Sequence, residues 1–213
     1  MYVSIFDLDG TLVKGNSSFS FLKYLLRKKV FPPVYFFYSL CYFFLFRYGK
    51  LSIQELHEKV FARLLKGVRL QTVQEHVETF VSEYLEKALY APTVMKLRLA
   101  QKLGHYTVIL SNSPSFLVSA IAKRLHVHEW ESTHYAVDKA GNLCHISSIL
   151  KGEDKALYVA LMREKYHLPR GHVTAYSDSI HDLAFLEAAG VSIVVNPDAK
   201  LKGYSKKKSW QQI

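Results

Sequence analysis

The sequence predicts an α/β protein that is built on a parallel sheet and carries a helical insertion. Short apolar segments that end on polar side chains alternate with segments of helical periodicity. The first apolar segment, Tyr2–Phe6, is β-rich and stops at the turn Asp7-Leu8-Asp9-Gly10, as a buried central strand does. Residues 16–88 then show helical patterns, so this insertion separates the first strand from the rest of the sheet.

The composition is that of a folded, basic protein. The 213 residues suffice for one α/β domain with an insertion, and a mean hydropathy of +0.01 excludes a multi-span membrane protein. The formal net charge of +10 suits an anionic partner, namely a phosphate ester, an anionic membrane or a nucleic acid. No nucleic acid is expected, because no nucleic-acid-binding module is visible and the basic residues are mostly dispersed.

Two features indicate the compartment. Cys41 and Cys144 are the two cysteines, which permits one disulfide but favours a reducing environment. The first apolar run is the predicted strand and ends on Asp7, so we expect no signal peptide. The expected location is therefore the cytoplasm.

The two carboxylates that follow the first strand predict a metal site. Asp7 and Asp9 lie two residues apart, so on an extended backbone they share a face. The carboxyl ends of parallel strands are where such sheets bind ligands, and paired carboxylates repel each other unless a cation such as Mg²⁺ joins them. Gly10 allows a sharp turn, and Thr11 offers a hydroxyl to a phosphate oxygen. The simpler interpretation is an Asp-Gly turn after a strand.

A second predicted strand ends on a hydroxyl. His105–Ser111 is apolar and β-rich, and Ser113-Pro114 is expected to begin the next helix, with Ser113 as its N-cap. Ser111 then stands at a helix N-terminus, which is a phosphate-binding geometry. A capped strand–helix turn without a ligand is the alternative.

Two later segments supply a lysine and two more carboxylates. Lys155 lies near the start of a predicted helix that runs to about Tyr166, where a cation is unfavourable unless it serves an anion; a solvated lysine is the alternative. The strand Val173–Asp178 ends on an aspartate, and Asp182 follows one helical turn later. Carboxylates with a serine and a lysine predict a phosphoryl-transfer site that contains Mg²⁺.

The remaining elements are predicted from their termini. One helix runs from Phe19 to Arg27. The sequence Ser52-x-x-Glu55 is a capping box that opens a helix to about Leu65, and Thr72-x-x-Glu75 opens another to about Leu89. Further along the chain we expect a helix from Pro92 to Gly104, a hairpin from Tyr135 to His145, and a strand from Val191 to Val195.

Residues 30–48 form an unusual apolar segment with ten of the chain's 29 aromatic residues. Its uncharged run is about 25 Å long as a helix at about 1.5 Å per residue, which is marginal for a membrane span of roughly 20 residues. Basic residues flank it on both sides, so residues 27–50 better fit a helix at an anionic membrane surface. An aromatic-rich helix buried in the insertion is the alternative. The flanking residues are Arg27, Lys28, Lys29, Arg47 and Lys50.

The segment from Phe6 to Leu12 resembles the first motif of the haloacid dehalogenase (HAD) superfamily, and the ordered set of strand ends resembles motifs one to four. The resemblance covers nearly the whole chain. It implies a Rossmann-like core formed by residues 1–15 and 89–213, with a helical C1 cap formed by residues 16–88.

The resemblance also implies roles for the site residues. Asp7 would be the nucleophile that forms an aspartyl-phosphate, and Asp9 would be the general acid and base. The implied metal ligands are the Asp7 carboxylate, the Asp9 carbonyl, Asp178 and, through water, Asp182. The implied phosphate-binding residues are Thr11, Ser111, Asn112 and Lys155.

Two motifs depart from those of the phosphoserine phosphatases that share the C1 cap. Ser111-Asn112-Ser113 stands in place of Ser-Gly-Gly, and Ser177–Asp182 stands in place of Gly-Asp-Gly-x-Asn-Asp. These segments look more like the subfamily IB hydrolases, of which some with apolar caps act on phosphatidylglycerophosphate. The predicted function is thus a Mg²⁺-dependent phosphomonoesterase of phospholipid metabolism, peripheral to or inserted in the inner face of the membrane. The alternatives are a phosphatase of a small soluble ester such as phosphoserine, a phosphotransferase, and a non-catalytic membrane-associated protein.

Overall fold

A computed structural model describes residues 1–213, apart from the side chain of Arg47. That side chain, which the sequence places among the basic flanking residues, lies outside the described part. Within the described residues the seven strands are β1 Val3–Phe6, β2 Tyr106–Pro114, β3 Glu129–Val137, β4 Leu143–Ser148, β5 Val173–Ser177, β6 Val191–Val194 and β7 Gln211–Gln212. The helices are α1 Ser17–Arg27, α2 Val34–Arg47, α3 Ile53–Val60, α4 Leu70–Ala88, α5 Ala91–Lys102, α6 Ser115–Leu125, α7 Gly152–Lys165, α8 Leu183–Ala188 and α9 Ala199–Lys207. A π-helical turn, Phe61–Leu65, extends α3, and a 3₁₀ turn, Ile180–Asp182, precedes α8.

The strands form one sheet in the order β4-β3-β2-β1-β5-β6-β7, so the predicted α/β class is confirmed. All pairs are parallel except the β3–β4 hairpin. The strand β1 lies between β2 and β5 and is fully buried, which explains why three of its four residues are apolar. Because these three strands run in one direction, their carboxyl ends meet at one edge of the sheet.

Side chains of β1 alternate between two hydrophobic clusters, one on each face of the sheet. Val3 and Ile5 belong to the cluster that includes residues of α7 and α8. Phe6 belongs to the other cluster, which also includes residues of α1, α4 and α6. One hydrophobic cluster therefore contains residues of the helical insertion, 16–88, as well as residues of the sheet. The division of the chain into a cap and a core stays a proposal.

The helical insertion is also attached to the β3–β4 hairpin through its backbone. The amide of Gly67 donates to the carbonyl of Leu143 at 2.8 Å, and the amide of Leu143 donates to Val68 at 2.9 Å. The amide of Leu70 donates to the carbonyl of Gly141 at 3.0 Å. The insertion is therefore bound to the sheet at the hairpin as well as at the end of β1.

The apolar segment contains one helix with two different faces. Pro32-Pro33 precedes α2, and Pro33 is its N-cap. Leu40, Phe43 and Phe46 line a cavity, and Phe43 is also 48% exposed. Another face, with Phe37, Cys41, Phe44 and Tyr48, is exposed, with 66% exposure for Phe37 and 76% for Tyr48. None of the described helices is both long and apolar enough to cross a membrane.

Two predicted helix starts are wrong. Thr72 does not cap α4, which begins at Leu70 without a side-chain cap, because the carbonyl of Gly141 in the hairpin accepts from the first helical amide. Ser113 does not cap α6, because β2 continues to Pro114 and the helix begins at Ser115; the Ser113 hydroxyl contacts Asp9 instead. Both errors come from partners that are distant in sequence.

The correct capping box gives the first prediction. Ser52 accepts from the Glu55 amide, and the Glu55 carboxylate accepts from the Ser52 amide. We expect Ser52→Ala to lower the free energy of unfolding by about 1 kcal/mol. Thr72→Ala, the matched control, should change it by less than about 0.5 kcal/mol, because Thr72 caps nothing. Urea unfolding followed by circular dichroism measures both, and equal losses would contradict the assignment.

Candidate active site

Asp7 lies directly after β1, at the carboxyl edge of the sheet, and is buried. Its amide donates to the carbonyl of Tyr176 in β5 at 2.9 Å, so the backbone keeps the strand register one residue beyond β1. Its Oδ1 accepts from Lys155 Nζ at 2.7 Å, and its Oδ2 lies 3.5 Å from Thr11 Oγ1. Burial raises the pKa of Asp7 well above its ordinary value of 3.8, although Lys155 opposes the shift.

Lys155 lies in the first turn of α7 and is 2% exposed. Its Nζ donates to Asp7 Oδ1 at 2.7 Å and to Asp182 Oδ2 at 2.8 Å. Burial disfavours the charge, but attraction to Asp182 and Asp7 outweighs burial and raises the lysine pKa. The structure thus brings Lys155, rather than Lys151, to the carboxylates.

Asp178 follows β5 and packs against the turn after β1. Its Oδ1 accepts from Thr11 Oγ1 at 3.2 Å. Gly10 has φ +82°, and a Cβ atom at this position would lie 2.2 Å from Asp178 Oδ2, so only glycine fits here. Burial, with the nearby charge of Asp182, raises the pKa of Asp178 to about 7.

Asp182 lies in the 3₁₀ turn before α8 and is the remaining carboxylate of the polar cluster. Its Oδ2 accepts from Lys155 Nζ and from Ser177 Oγ at 2.7 Å. The turn packs so tightly on α7 that a Cβ atom on Gly152 would lie 2.1 Å from the carbonyl oxygen of His181. Asp182 is therefore fixed beside Lys155.

The chemistry of two carboxylates fits a divalent cation. Asp7 Oδ2 and Asp178 Oδ1 lie within 3.5 Å of the same Thr11 hydroxyl, and the pKa of each carboxyl is raised because burial disfavours its charge. A hard cation such as Mg²⁺ prefers carboxylate oxygens and would relieve this cost.

The side chains of the four predicted metal residues do not all converge. Asp7 and Asp178 lie together, whereas Asp9 turns toward α1 and Asp182 is bonded to Lys155. Within the described part of the chain, three or more His, Cys, Asp or Glu side chains do not gather into a metal-binding group. Ligation by the Asp9 carbonyl and, through water, by Asp182 stays a prediction.

Asp9 is held at the junction between β1 and the insertion. Its Oδ1 accepts from the Ser17 amide at 2.6 Å, and its Oδ2 accepts from Ser113 Oγ at 2.5 Å. Burial raises the pKa of Asp9, and the hydrogen bonds from Ser113 and Ser17 oppose that shift. Sequence reasoning missed Ser113, because a Ser-Pro pair after a strand is also an ordinary helix start.

Ser111 and Asn112 lie near the carboxylates in β2. The Ser111 hydroxyl is buried and accepts from the Ser113 amide at 3.1 Å, which leaves its own proton available for an anion. Asn112 lines the cavity above the site, and its backbone carbonyl accepts from the Thr133 hydroxyl. Ser177, which donates to Asp182, was not predicted as a site residue either. Its position as a hydroxyl-bearing residue at the end of a predicted strand could have indicated it.

A cavity of about 580 Å³ opens from these polar groups into the insertion. Its floor contains Asp7, Asp9, Lys155, Asp178 and Asp182. Its walls are largely apolar and come mainly from the insertion, with Phe116 of α6, Tyr135 of β3 and Leu150 contributed by the rest of the chain. The apolar wall residues of the insertion are Phe19, Phe21, Leu22, Leu25, Phe31, Leu40, Phe43, Phe46, Ile53, Leu56, Val60, Leu64, Leu65 and Val73.

Comparisons with known proteins agree with the fold and the enzyme class. The sequence model of the haloacid dehalogenase-like hydrolases matches residues 5–187, so the chain belongs to this family. A phosphoserine phosphatase of Mycobacterium tuberculosis is 27% identical over 98% of this chain and 69% of its own length. A histidinol-phosphatase of Neisseria meningitidis is 25% identical over 98% of this chain and 96% of its own.

Solved structures show the same fold. A Bordetella pertussis protein of unknown function has a TM-score of 0.86, with 22% identity over 99% of this chain and 97% of that one. A phospho-aspartyl intermediate analogue of phosphoserine phosphatase has a TM-score of 0.71, with 16% identity over 95% of this chain and 90% of that one. With the family match, these likenesses define the protein as an enzyme of the HAD phosphatase class.

The raised pKa of Asp178 gives the second prediction. Its folded pKa, about 7, lies above its ordinary value of 3.8, so the folded state holds this proton more tightly than the unfolded chain. The resulting stability is fully present below the ordinary value and is lost as pH rises toward 7, by about 4 kcal/mol at most. In chelator, wild type should therefore lose more unfolding free energy than Asp178→Asn between about pH 5 and about pH 7.5. Parallel pH profiles in urea unfolding would contradict this.

Proposed function

We propose that the protein is a Mg²⁺-dependent phosphomonoester hydrolase that works through an aspartyl-phosphate. The observation that carries this proposal is the buried contact of Lys155 with Asp7, next to Asp178, at the floor of an accessible cavity. The Lys155 amine at 2.7 Å favours the ionised, nucleophilic form of the Asp7 carboxylate and so opposes burial, which raises the pKa of Asp7. When bound, Mg²⁺ would neutralise charge on the phosphoryl oxygens, with Asp7 and Asp178 holding it.

In the first step, an oxygen of Asp7 forms a bond to phosphorus and the bond from phosphorus to the ester oxygen breaks. The electron pair of that bond stays on the ester oxygen, which takes a proton from the Asp9 carboxyl and departs as an alcohol. In the second step, water attacks phosphorus while the Asp9 carboxylate accepts its proton. The bond between Asp7 and phosphorus then breaks, which releases inorganic phosphate and restores both side chains.

We assign the binding of the transferring phosphoryl group to four residues at or just behind the floor, of which Thr11 and Ser111 are fully buried. Lys155 supplies positive charge, and the Ser111 hydroxyl can donate from the end of β2. Thr11 contributes its hydroxyl between Asp7 and Asp178, and Asn112 contributes an amide from the cavity wall. These assignments follow the chemistry of donors around an anionic oxygen.

The cavity favours a large apolar leaving group, which we propose is the lipid part of a membrane lipid phosphate. Among the residues that the structure describes, charged groups of the lining lie at or near the catalytic end, whereas the insertion contributes mainly aliphatic and aromatic side chains. Its polar groups there include His57, whose pKa burial lowers to about 4, and Ser39, whose buried hydroxyl has no partner. Such a wall is poorly suited to the ammonium and carboxylate groups of phosphoserine.

A small soluble phosphoester is the second candidate. It is favoured by the names of two relatives, a phosphoserine phosphatase and a histidinol-phosphatase. The two candidates differ in the leaving group that the cavity must hold. Rates of hydrolysis measured on phosphate monoesters that differ only in this group separate them.

We further propose that the exposed face of α2 contacts an anionic membrane surface at its cytoplasmic side. Phe37, Phe44 and Tyr48 are exposed on that face. From Gly10 to Gln54 the sequence has seven Lys and Arg residues and no Asp or Glu, so its charge complements acidic headgroups. Since the opposite face of α2 lines the cavity, a lipid phosphate could pass from the surface into the site without crossing open water.

The third prediction tests the reaction. Asp7→Asn should abolish phosphate release, because a carboxamide is a poor nucleophile, and Asp9→Asn should slow release from alkyl esters by about 10²–10⁴-fold. Magnesium removal should have the effect of Asp7→Asn. An ester with a radiolabelled phosphate should leave acid-stable label on wild type and not on Asp7→Asn. Asp138→Asn, in the exposed hairpin turn, is the control that keeps full activity. Substantial turnover by Asp7→Asn would rule out the covalent route.

The fourth prediction separates membrane contact from cavity binding on one helix. Phe37→Ser and Phe44→Ser should weaken sedimentation with anionic liposomes, because they remove apolar surface from the exposed face. Leu40→Ser, on the cavity face, should leave sedimentation unchanged but lower kcat/KM for long-chain alkyl phosphates relative to glycerol phosphate. If wild type ignores anionic liposomes and hydrolyses only water-soluble esters, the soluble candidate replaces the lipid one.

A further inference from the structure

Three serine hydroxyls surround the carboxyl group of Asp9, and the reaction described above uses none of them. Ser113 Oγ lies 2.5 Å from Asp9 Oδ2. Ser18 Oγ lies 2.6 Å from Ser113 Oγ, and Ser17 Oγ lies 3.3 Å from it. Ser113 is buried at the end of β2, whereas Ser17 and Ser18 open α1, so the cluster joins the sheet to the insertion at Asp9.

We propose that Ser113 is a positioning residue that fixes the Asp9 carboxyl group for proton transfer to the leaving group. The inference rests on the proposed function, because it concerns the role of Asp9 in that reaction. In this role Ser113 does not contact the substrate, and it acts through Asp9 alone.

The geometry supports this role because an aspartate cannot orient its own carboxyl group. The terminal torsion of Asp is broad, so the direction of its oxygens is set by hydrogen bonds. Here the Ser17 amide holds Oδ1 and the Ser113 hydroxyl holds Oδ2, from two different parts of the fold. Loss of Ser113 leaves one contact and frees rotation about that torsion.

A hydroxyl also suits the two halves of the reaction. Ser113 donates to one lone pair of Asp9 Oδ2 whether Asp9 is a carboxylate or a carboxylic acid. The proton that Asp9 transfers to the leaving group is held away from this contact, so the hydrogen bond from Ser113 does not compete for it. The contact therefore persists while Asp9 gives up a proton and later regains one.

The consequence is a defect that depends on the leaving group. An alkoxide must be protonated as it departs, whereas p-nitrophenolate is a weak base that departs without help. A misdirected Asp9 should therefore slow phosphoryl transfer from alkyl phosphates to Asp7 and spare this step for p-nitrophenyl phosphate, whereas any effect on the later attack of water is common to both esters. Damage to phosphate binding or to the fold would affect both esters alike.

The experiment compares kcat/KM, which reports the steps up to departure of the leaving group, for p-nitrophenyl phosphate and for a short alkyl phosphate, with magnesium, across matched variants. We expect Ser113→Ala to lose about 10–100-fold on the alkyl ester and less than about 3-fold on the aryl ester. Ser113→Thr, which keeps the hydroxyl, should recover most of the alkyl activity. Ser119→Ala is the control, because the Ser119 hydroxyl contacts only the Phe116 carbonyl on α6.

The outcomes separate this inference from the proposed function. Equal losses on both esters, or no loss on either, would overturn the role of Ser113 while leaving the reaction intact. A wild type that hydrolyses neither ester, or an active Asp7→Asn, would overturn the proposed function and this inference with it. Thermal unfolding of each variant shows whether a loss on both esters comes from the fold.

Discussion

The buried ion pair between Lys155 and Asp7 is the interaction on which the site depends. Two carboxylates and one ammonium are removed from water at the end of β1, and removal of the ammonium would leave Asp7 and Asp182 as uncompensated charges. Such a cluster contributes little net stability compared with an apolar core of the same size. Its retention at the floor of a cavity is therefore better explained by chemistry than by folding.

Much of the sheet was predictable because it depends on local signals. Three of the four residues of β1 are apolar, and the turn after it contains Gly10, so both its position and its end could be recognised. The polar residues that end β1, β2 and β5 could be placed at one edge, since parallel strands share a direction. The resemblance to the HAD motifs implied Lys155 as the lysine of the site, and the structure brings its amine to Asp7 and Asp182.

The errors occurred where a distant partner replaced a local one. Thr72 has the sequence of a cap, but the hairpin carbonyl of Gly141 already serves the first amide of α4. Ser113 has the sequence of a cap, but Asp9, which lies 104 residues earlier, takes its hydroxyl. The terminal elements α9 and β7 were not predicted, because a lysine-rich tail has little hydrophobic periodicity.

The two attachments of the insertion determine which part of the cavity wall is able to give way. At one end Asp9 binds the start of α1, and at the other the backbone of residues 67–70 is bonded to the hairpin. Displacement of either end breaks bonds to the sheet, whereas α2 and α3 lie between them and are joined to their surroundings mainly by apolar contacts. Entry of a bulky molecule into the cavity therefore breaks the fewest hydrogen bonds if α2 moves away from its neighbouring helices while both ends of the insertion stay bound to the sheet.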